Sequence, residues 1–432
     1  MNLSDLTVSQ LGPARLASPL LAHQTGESVS DFTNDARRVL YDIASDAGRG
    51  DASPSFERAG PRRQVFFDPA RARAAIVTCG GLCPGLNDVI RALVMELYHW
   101  YRIGEVLGVY YGYAGLCPDA EFPPQPLSAR SVEDIHMHGG TMLGTSRGRR
   151  DTAVMADTLE RLGIDILFCV GGDGTLRGAH ALAGEIARRG LPIAIVGIPK
   201  TIDNDIALVY RCFGFKTAVE GADRALDCAH VEAKGARHGV GLVRLMGREA
   251  GFIAAHATLS NGDVNYCLIP EVPFKLEGPG GLLAHLRQRL ATRQHAVIAV
   301  AEGAGRELVG ATDQTDASGN VKLKDIGLFL KQKIGEAFAE WGEEVNVRYI
   351  DPSYLIRSVP ANSDDSLYCA DLARMAAHAA MAGKTDLFIG QWHGVFTHVP
   401  LAATSGLRHT IDPKAELWRN VLATTGQPEQ FV

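Results

Sequence analysis

From Ala74 onward the chain repeats one local pattern: a short continuous apolar run, a glycine-bearing loop, then a segment with helical spacing. Ala74-Ala75-Ile76-Val77-Thr78-Cys79 ends at Gly80-Gly81. After it, Leu86, Val89, Ile90, Leu93, Val94, Leu97 and Tyr101 fall on one stripe, as in a helix with a single buried face. Ile166–Val170 leads into Gly171–Gly174 and a helix through Ile186. Ile193–Ile198 leads into Pro199-Lys200-Thr201, and Val240–Leu245, Val297–Ala301 and Asp386–Ile389 have the same character. Runs that are apolar throughout belong to strands covered on both faces, with the helices as crossovers between parallel neighbours. The pattern predicts an α/β protein with mainly parallel sheets flanked by helices. Ligands in such folds sit beyond the carboxyl ends of the strands, where these glycine loops fall. A chain of 432 residues has room for two Rossmann-like lobes.

Charge narrows the partners. Lys and Arg number 43 against 49 Asp and Glu, a formal charge of -6, so nothing draws the chain generally to nucleic acid or an anionic membrane. Anionic ligands must be met by local clusters of Arg and Lys. The eight cysteines (Cys79, Cys83, Cys117, Cys169, Cys212, Cys228, Cys267, Cys369) form no CxxC pair, which predicts reduced, buried thiols. No signal peptide is expected at Met1–Asp5, and no apolar run approaches 18 residues, so we expect a cytoplasmic protein without a membrane span. Residues 1–70 read as an N-terminal extension that packs on the body or covers an edge. It holds a turn-rich stretch from Asp46 to Pro54 and a helical patch near Asp35 to Ile43. There is no internal repeat.

Two acidic loops carry the chemistry. Gly171-Gly172-Asp173-Gly174-Thr175 follows a strand and opens a helix, so glycines admit a phosphate to the free N–H groups of a helix start. A carboxylate there would repel a bare phosphate, so Asp173 makes sense as a Mg²⁺ ligand between protein and phosphate oxygens. One strand later comes Pro199-Lys200-Thr201-Ile202-Asp203-Asn204-Asp205. Phosphoryl transfer to a hydroxyl needs a carboxylate near the acceptor and cations around the moving group. Asp203 is the candidate base, Asp205 a metal or water organiser, and Lys200 and Thr201 phosphate donors. Arg147, Arg248, Arg348 and Arg357 are candidate phosphate clamps, and Glu302, at a strand end, a candidate acceptor for sugar hydroxyls.

In this order the motifs resemble those of the 6-phosphofructokinase family. The matching pieces are Thr78–Asn87, Gly112–Leu116, Gly171–Thr175, Pro199–Asp205, Met246–Gly251, Ala301-Glu302-Gly303 and Tyr354–Arg357, spread over most of residues 74–400. Phe56–Arg62 and Thr424–Pro428 resemble the long branch that includes plant and trypanosomatid ATP-dependent enzymes, to which the extension would be native.

The resemblance implies a glycolytic, allosteric kinase that phosphorylates the 1-hydroxyl of fructose 6-phosphate, with its active site in the cleft between two lobes. A nucleotide-binding lobe would comprise 71–212 and 358–406, a sugar-phosphate lobe 213–357, and a C-terminal segment 407–432. It also implies roles. Gly81, Tyr113, Arg147, Gly148, Gly172, Asp173, Gly174 and Thr175 would bind the nucleotide, with Asp173 on Mg²⁺ and Arg147 also on the transferring phosphoryl group. Asp203 would take the proton, with Thr201, Lys200 and Arg248 around it. Thr201, Ile202, Asp203, Met246, Gly247, Arg248, Glu302, Tyr354 and Arg357 would hold fructose 6-phosphate. Arg348 would reach its 6-phosphate from a neighbouring subunit, implying a homodimer or homotetramer with shared active sites. Against many short bacterial members, Leu82 replaces an acid, Tyr354 a His and Gly239 an intersubunit Arg.

In that family an Asp in place of Gly174 goes with pyrophosphate, because it fills and repels the α-phosphate space of ATP, and Gly174 leaves that space open; a Lys at position 200 is typical of pyrophosphate users, but Gly174 together with Lys200 is the pattern of the ATP-dependent plant and trypanosomatid branch. ATP is therefore the expected donor. Alternatives are a pyrophosphate-dependent enzyme with the same sites, an NAD or lipid kinase, which leaves Pro199–Asp205 unexplained, and a silent nucleotide-sensing subunit, which should have lost Asp173 or Asp203.

Overall fold

Four strands of the nine-stranded sheet in the first of two compact units follow from the apolar runs. A computed structural model describes residues 6–23, 32–44, 53–310 and 323–432. The first unit is Met1–Thr201, Ile206–Gly214 and Val359–Arg408; the second is Ile202–Asp205, Phe215–Ser358 and His409–Val432. In the first, Leu387–Trp392, Ala194–Pro199, Ile166–Gly171, Arg73–Thr78 and Glu105–Val109 lie side by side and parallel. Every residue of Ile166–Gly171 and Ala194–Pro199 is buried, as expected of strands with helices on both faces.

Both edges of this sheet are antiparallel. Val395–Pro400 folds back on Leu387–Trp392 through His393-Gly394, whose φ angles of 49° and 77° suit a two-residue hairpin. Ser55–Arg58 and Arg38–Leu40 extend that edge, and Gln125–Leu127 closes the other. This corrects the helical reading of residues 35–43. Their weak periodicity yields to a sheet edge, where Val39 pairs with Phe56. Residues 46–52 of the turn-rich stretch lie outside the described residues.

The second unit has a four-stranded, wholly parallel sheet in the order Tyr266–Leu268, His295–Ala301, Gly239–Leu245, Asn346–Ile350. Each unit has its own apolar core. All eight cysteines are free; six are buried, but Cys117 is half-buried and Cys228 is exposed, contrary to a uniformly buried set. Among the described residues no helix is long and apolar enough to cross a membrane.

Candidate functional site

In the first unit three loops meet at strand ends. Arg73–Thr78 ends in Gly80-Gly81, Ile166–Gly171 in Gly172, and Ala194–Pro199 in Lys200. Lys200 is buried; its amide donates to Gly171 O (3.0 Å) and its Nζ to Gly81 O (2.6 Å). A Cβ on Gly172 would lie 3.3 Å from Lys200 O, and one on Gly171 would run into Thr175 Oγ1. Glycine is therefore required at 171 for close approach of the helix, whatever ligand binds.

The helix Asp173–Arg189 begins after Gly172 with no side-chain cap. Thr175 N and Leu176 N donate back to Gly172 O (2.9 and 3.0 Å), so the N–H groups ahead of them and the positive end of the dipole are what this helix start offers an anion. Asp173 sits in this turn, paired with Arg177 at 3.0 Å. A Cβ on Gly174 would meet nothing within 4 Å. Tyr113 is buried under the same turn and donates its hydroxyl to Thr175 O (2.8 Å).

The loop that carries Arg147 is tied to the first glycine pair. Gly80 N donates to Ser146 O (3.0 Å), and Thr145 Oγ1 to Gly80 O (2.6 Å). Thr78 Oγ1 donates to Gly144 O (2.7 Å). Arg147 is exposed on this loop, followed by Gly148 at φ 98°. The half-buried Thr201 ends the first stretch of the unit.

In the second unit, Ile202–Asp205 is held by His409. Its Nδ1 donates to Asn204 O (2.9 Å) and its amide to Asp205 O (3.0 Å). Burial lowers the pKa of His409 and favours the neutral ring, which packs 4.5 Å from Phe252. Asn204, at φ 56°, makes the turn that leaves Ile202 buried and Asp203 half-buried.

Strand Gly239–Leu245 leads into Met246-Gly247-Arg248, and His295–Ala301 into Glu302. The two strand ends interlock: Glu302 N donates to Leu245 O (2.8 Å) and Gly303 N to Gly247 O (3.2 Å). Gly303 takes the Arg248 carbonyl where a Cβ would clash, and Gly247 sits at φ 123°. Arg244 donates to Glu302 Oε2 (3.0 Å) and Asp351 Oδ2 (2.7 Å). Burial raises the Glu302 pKa, while Arg244, Arg248 and Arg357 pull it back. Tyr354 is 72% exposed, with the Arg357 guanidinium 4.8 Å over its ring. Arg348 stands exposed on the edge strand, 3.9 Å from Glu232.

Three supporting residues were not singled out as site residues from the sequence. Arg244, whose role the sequence leaves open, is the centre of a charge cluster. His409 lies 205 positions from the loop it clamps. Glu271 accepts from Gly251 N (3.0 Å) and Ile411 N (2.9 Å), fixing the start of the helix after Arg248. No local motif marks the last two; only the fold brings them to their partners.

An α/β protein with glycine loops at strand ends, a lysine between them and an acidic helix start belongs to the phosphate-handling class. The phosphofructokinase family model matches residues 73–380, and the chain belongs to that family. An ATP-dependent 6-phosphofructokinase from Borreliella burgdorferi is 46% identical over 98% of this chain and 97% of that protein. A protein of the same name from Amycolatopsis methanolica is 45% identical over 100% and 96%, and one from Trypanosoma cruzi 42% over 98% and 87%. The crystal structure of a pyrophosphate-dependent phosphofructokinase from Marinobacter aquaeolei matches with TM-score 0.68 over 83% of this chain and 93% of that one, at 20% identity, which shows a shared fold.

Proposed function

We propose that the chain transfers the terminal phosphoryl group of ATP to the 1-hydroxyl of fructose 6-phosphate in glycolysis. The carrying observation is the first-unit loop set, in which glycine backbones, Lys200 and an uncapped helix start converge and the position of Gly174 is open. That open space favours ATP over pyrophosphate, and relatives named for ATP dependence support the same reading.

The first unit would bind the donor through the N–H groups at Gly172–Gly174, the Thr175 side chain, the Gly81 loop and Arg147. Asp173 suits Mg²⁺, which takes one or two carboxylates and completes its shell with water and phosphate oxygens; Arg177 would release it. Bound there, Mg²⁺ would neutralise charge on the phosphates. Asp203 would accept the proton of the sugar hydroxyl. Thr201, Ile202, Met246, Gly247, Arg248, Glu302, Tyr354 and Arg357 would hold the sugar phosphate, Glu302 with its carboxylate oriented by Arg244. Arg348, exposed on an edge strand, is our candidate for a residue lent to a second copy in a dimer or tetramer. We place the reaction in the cytoplasm.

Initial rates with fructose 6-phosphate test the donor. ATP should support turnover, and much faster turnover with pyrophosphate overturns the reading. Asp203→Ala should lower kcat by about 10²–10⁴-fold while sugar-phosphate binding stays measurable. Normal turnover in that variant removes Asp203 from the role.

A further inference from the structure

The helix Phe215–Lys234 and the strand His295–Ala301 bring two imidazoles edge to edge in the second unit. His230 Nε2 and His295 Nε2 are 3.3 Å apart. The ring centroids are 5.2 Å apart with 21° between the planes, so the rings extend away from the two nitrogens that meet. Each ring is fixed from behind by a group that only accepts. His230 Nδ1 lies 2.9 Å from Asp263 Oδ2, and His295 Nδ1 lies 3.1 Å from Arg293 O. Both protons are therefore on Nδ1 in the neutral rings, and both Nε2 atoms carry lone pairs.

Two lone pairs facing at this distance repel unless a cation joins them. A proton on one ring is one such cation. A metal is the other. Zinc–nitrogen bonds of about 2.0–2.1 Å at a tetrahedral angle put two nitrogens about 3.3–3.4 Å apart. A carboxylate behind one ring and a carbonyl behind the other are the outer partners that orient metal-binding histidines. Both rings are only partly buried, so an ion can enter from solvent. Among the described residues no group of three or more His, Cys, Asp or Glu gathers, so water must fill the remaining positions.

We propose that His230 and His295 bind one transition-metal ion of the Zn²⁺, Cu²⁺ or Ni²⁺ type through Nε2, with Asp263 and the Arg293 carbonyl as outer partners. The ion would brace the helix against the start of the strand whose far end carries Glu302. Imidazole ligands select these ions over Mg²⁺.

The test uses metal-stripped full-length protein carrying Cys228→Ser, which removes the exposed thiol as a competitor. Cu²⁺ should bind one per chain with electron paramagnetic resonance splitting from two imidazole nitrogens. Zn²⁺ should displace it and raise Tm, and Mg²⁺ should not displace it. His230→Gln with His295→Gln should weaken Cu²⁺ binding at least 100-fold, and Asp263→Asn about 10–100-fold with both rings kept. Unchanged affinity in the double variant, or a parent spectrum without two-nitrogen coupling, overturns the proposal. The spectrum decides even where the double variant does not fold.

Discussion

Each unit contains a cluster of opposite charges held largely out of water, and the two are built for opposite ends. In the first unit Glu57 accepts from His398 Nδ1 (2.9 Å) and Arg62 Nη2 (3.0 Å) and lies 3.3 Å from Lys384 Nζ. Asp35 takes the other sides of Arg62 (2.9 Å) and Lys384 (3.0 Å). Burial pushes against ionisation of Glu57, but His398, Lys384 and Arg62 outweigh it and hold the pKa at about 2. In the second unit the balance reverses. Glu302 has Arg244 at 3.0 Å, yet burial wins and its pKa is raised. Arg244 is shared with Asp351, whose carboxylate burial would raise but Ser353 and Arg244 hold low. A carboxylate saturated with cations is a structural rivet joining Asp35, Glu57 and Arg62 to Lys384 and His398. A carboxylate left under-neutralised among Arg244, Arg248 and Arg357 keeps capacity for a ligand.

The sharpest way to break this contrast is Glu57→Gln. Removing one partner of a buried ion cluster costs about 3–5 kcal/mol, so urea melts at neutral pH should show that loss with unchanged KM values. The sign with pH is set by the depressed pKa. Glu57 contributes stability above its unfolded value near 4.5, and the contribution fades as pH falls toward about 2. The gap between parent and variant should close over that window. A gap that widens on acidification contradicts the assignment.

Glu302→Gln should do the reverse. Hydrogen bonds to charged groups contribute about 1.5–3 kcal/mol, so KM for fructose 6-phosphate should rise about 10–100-fold. Stability at neutral pH should hold or improve, because a raised pKa means that ionising Glu302 opposes folding as pH rises through its normal range. A variant with normal KM and lost stability would make this cluster a second rivet.

The contrast also explains what could be read in advance. Ile166–Gly171 and Ala194–Pro199 are legible because burial on both faces leaves an unbroken apolar run. The glycine loops are legible because a backbone need, such as Gly171 against Thr175, admits one residue type. Arg38–Leu40 was missed because an edge strand owes its state to its partner, Ser55–Arg58, more than to its own pattern. His409 and Glu271 were missed because their work is to hold backbone amides and carbonyls 205 and 140 positions away, which leaves no local trace. Glu57 lies in a stretch that reads as extension, and only the fold supplies His398 and Lys384.

The smallest expected effect bears on whether the first unit's loops act through backbone alone. Gly174 is the second residue of the helix Asp173–Arg189, and a methyl group there meets no protein atom. Gly174→Ala should raise stability by up to about 1 kcal/mol, since alanine gives up less freedom in a helix than glycine. KM for ATP should move no more than about twofold, because a methyl group brings no charge and little volume into the donor's space and changes of that kind are worth up to about 0.5 kcal/mol. A large rise in KM from a single methyl would mean that the donor occupies this space so closely that any side chain intrudes. The same change in stability with unaltered kinetics would mean that charge at this position, and not volume, separates ATP from pyrophosphate.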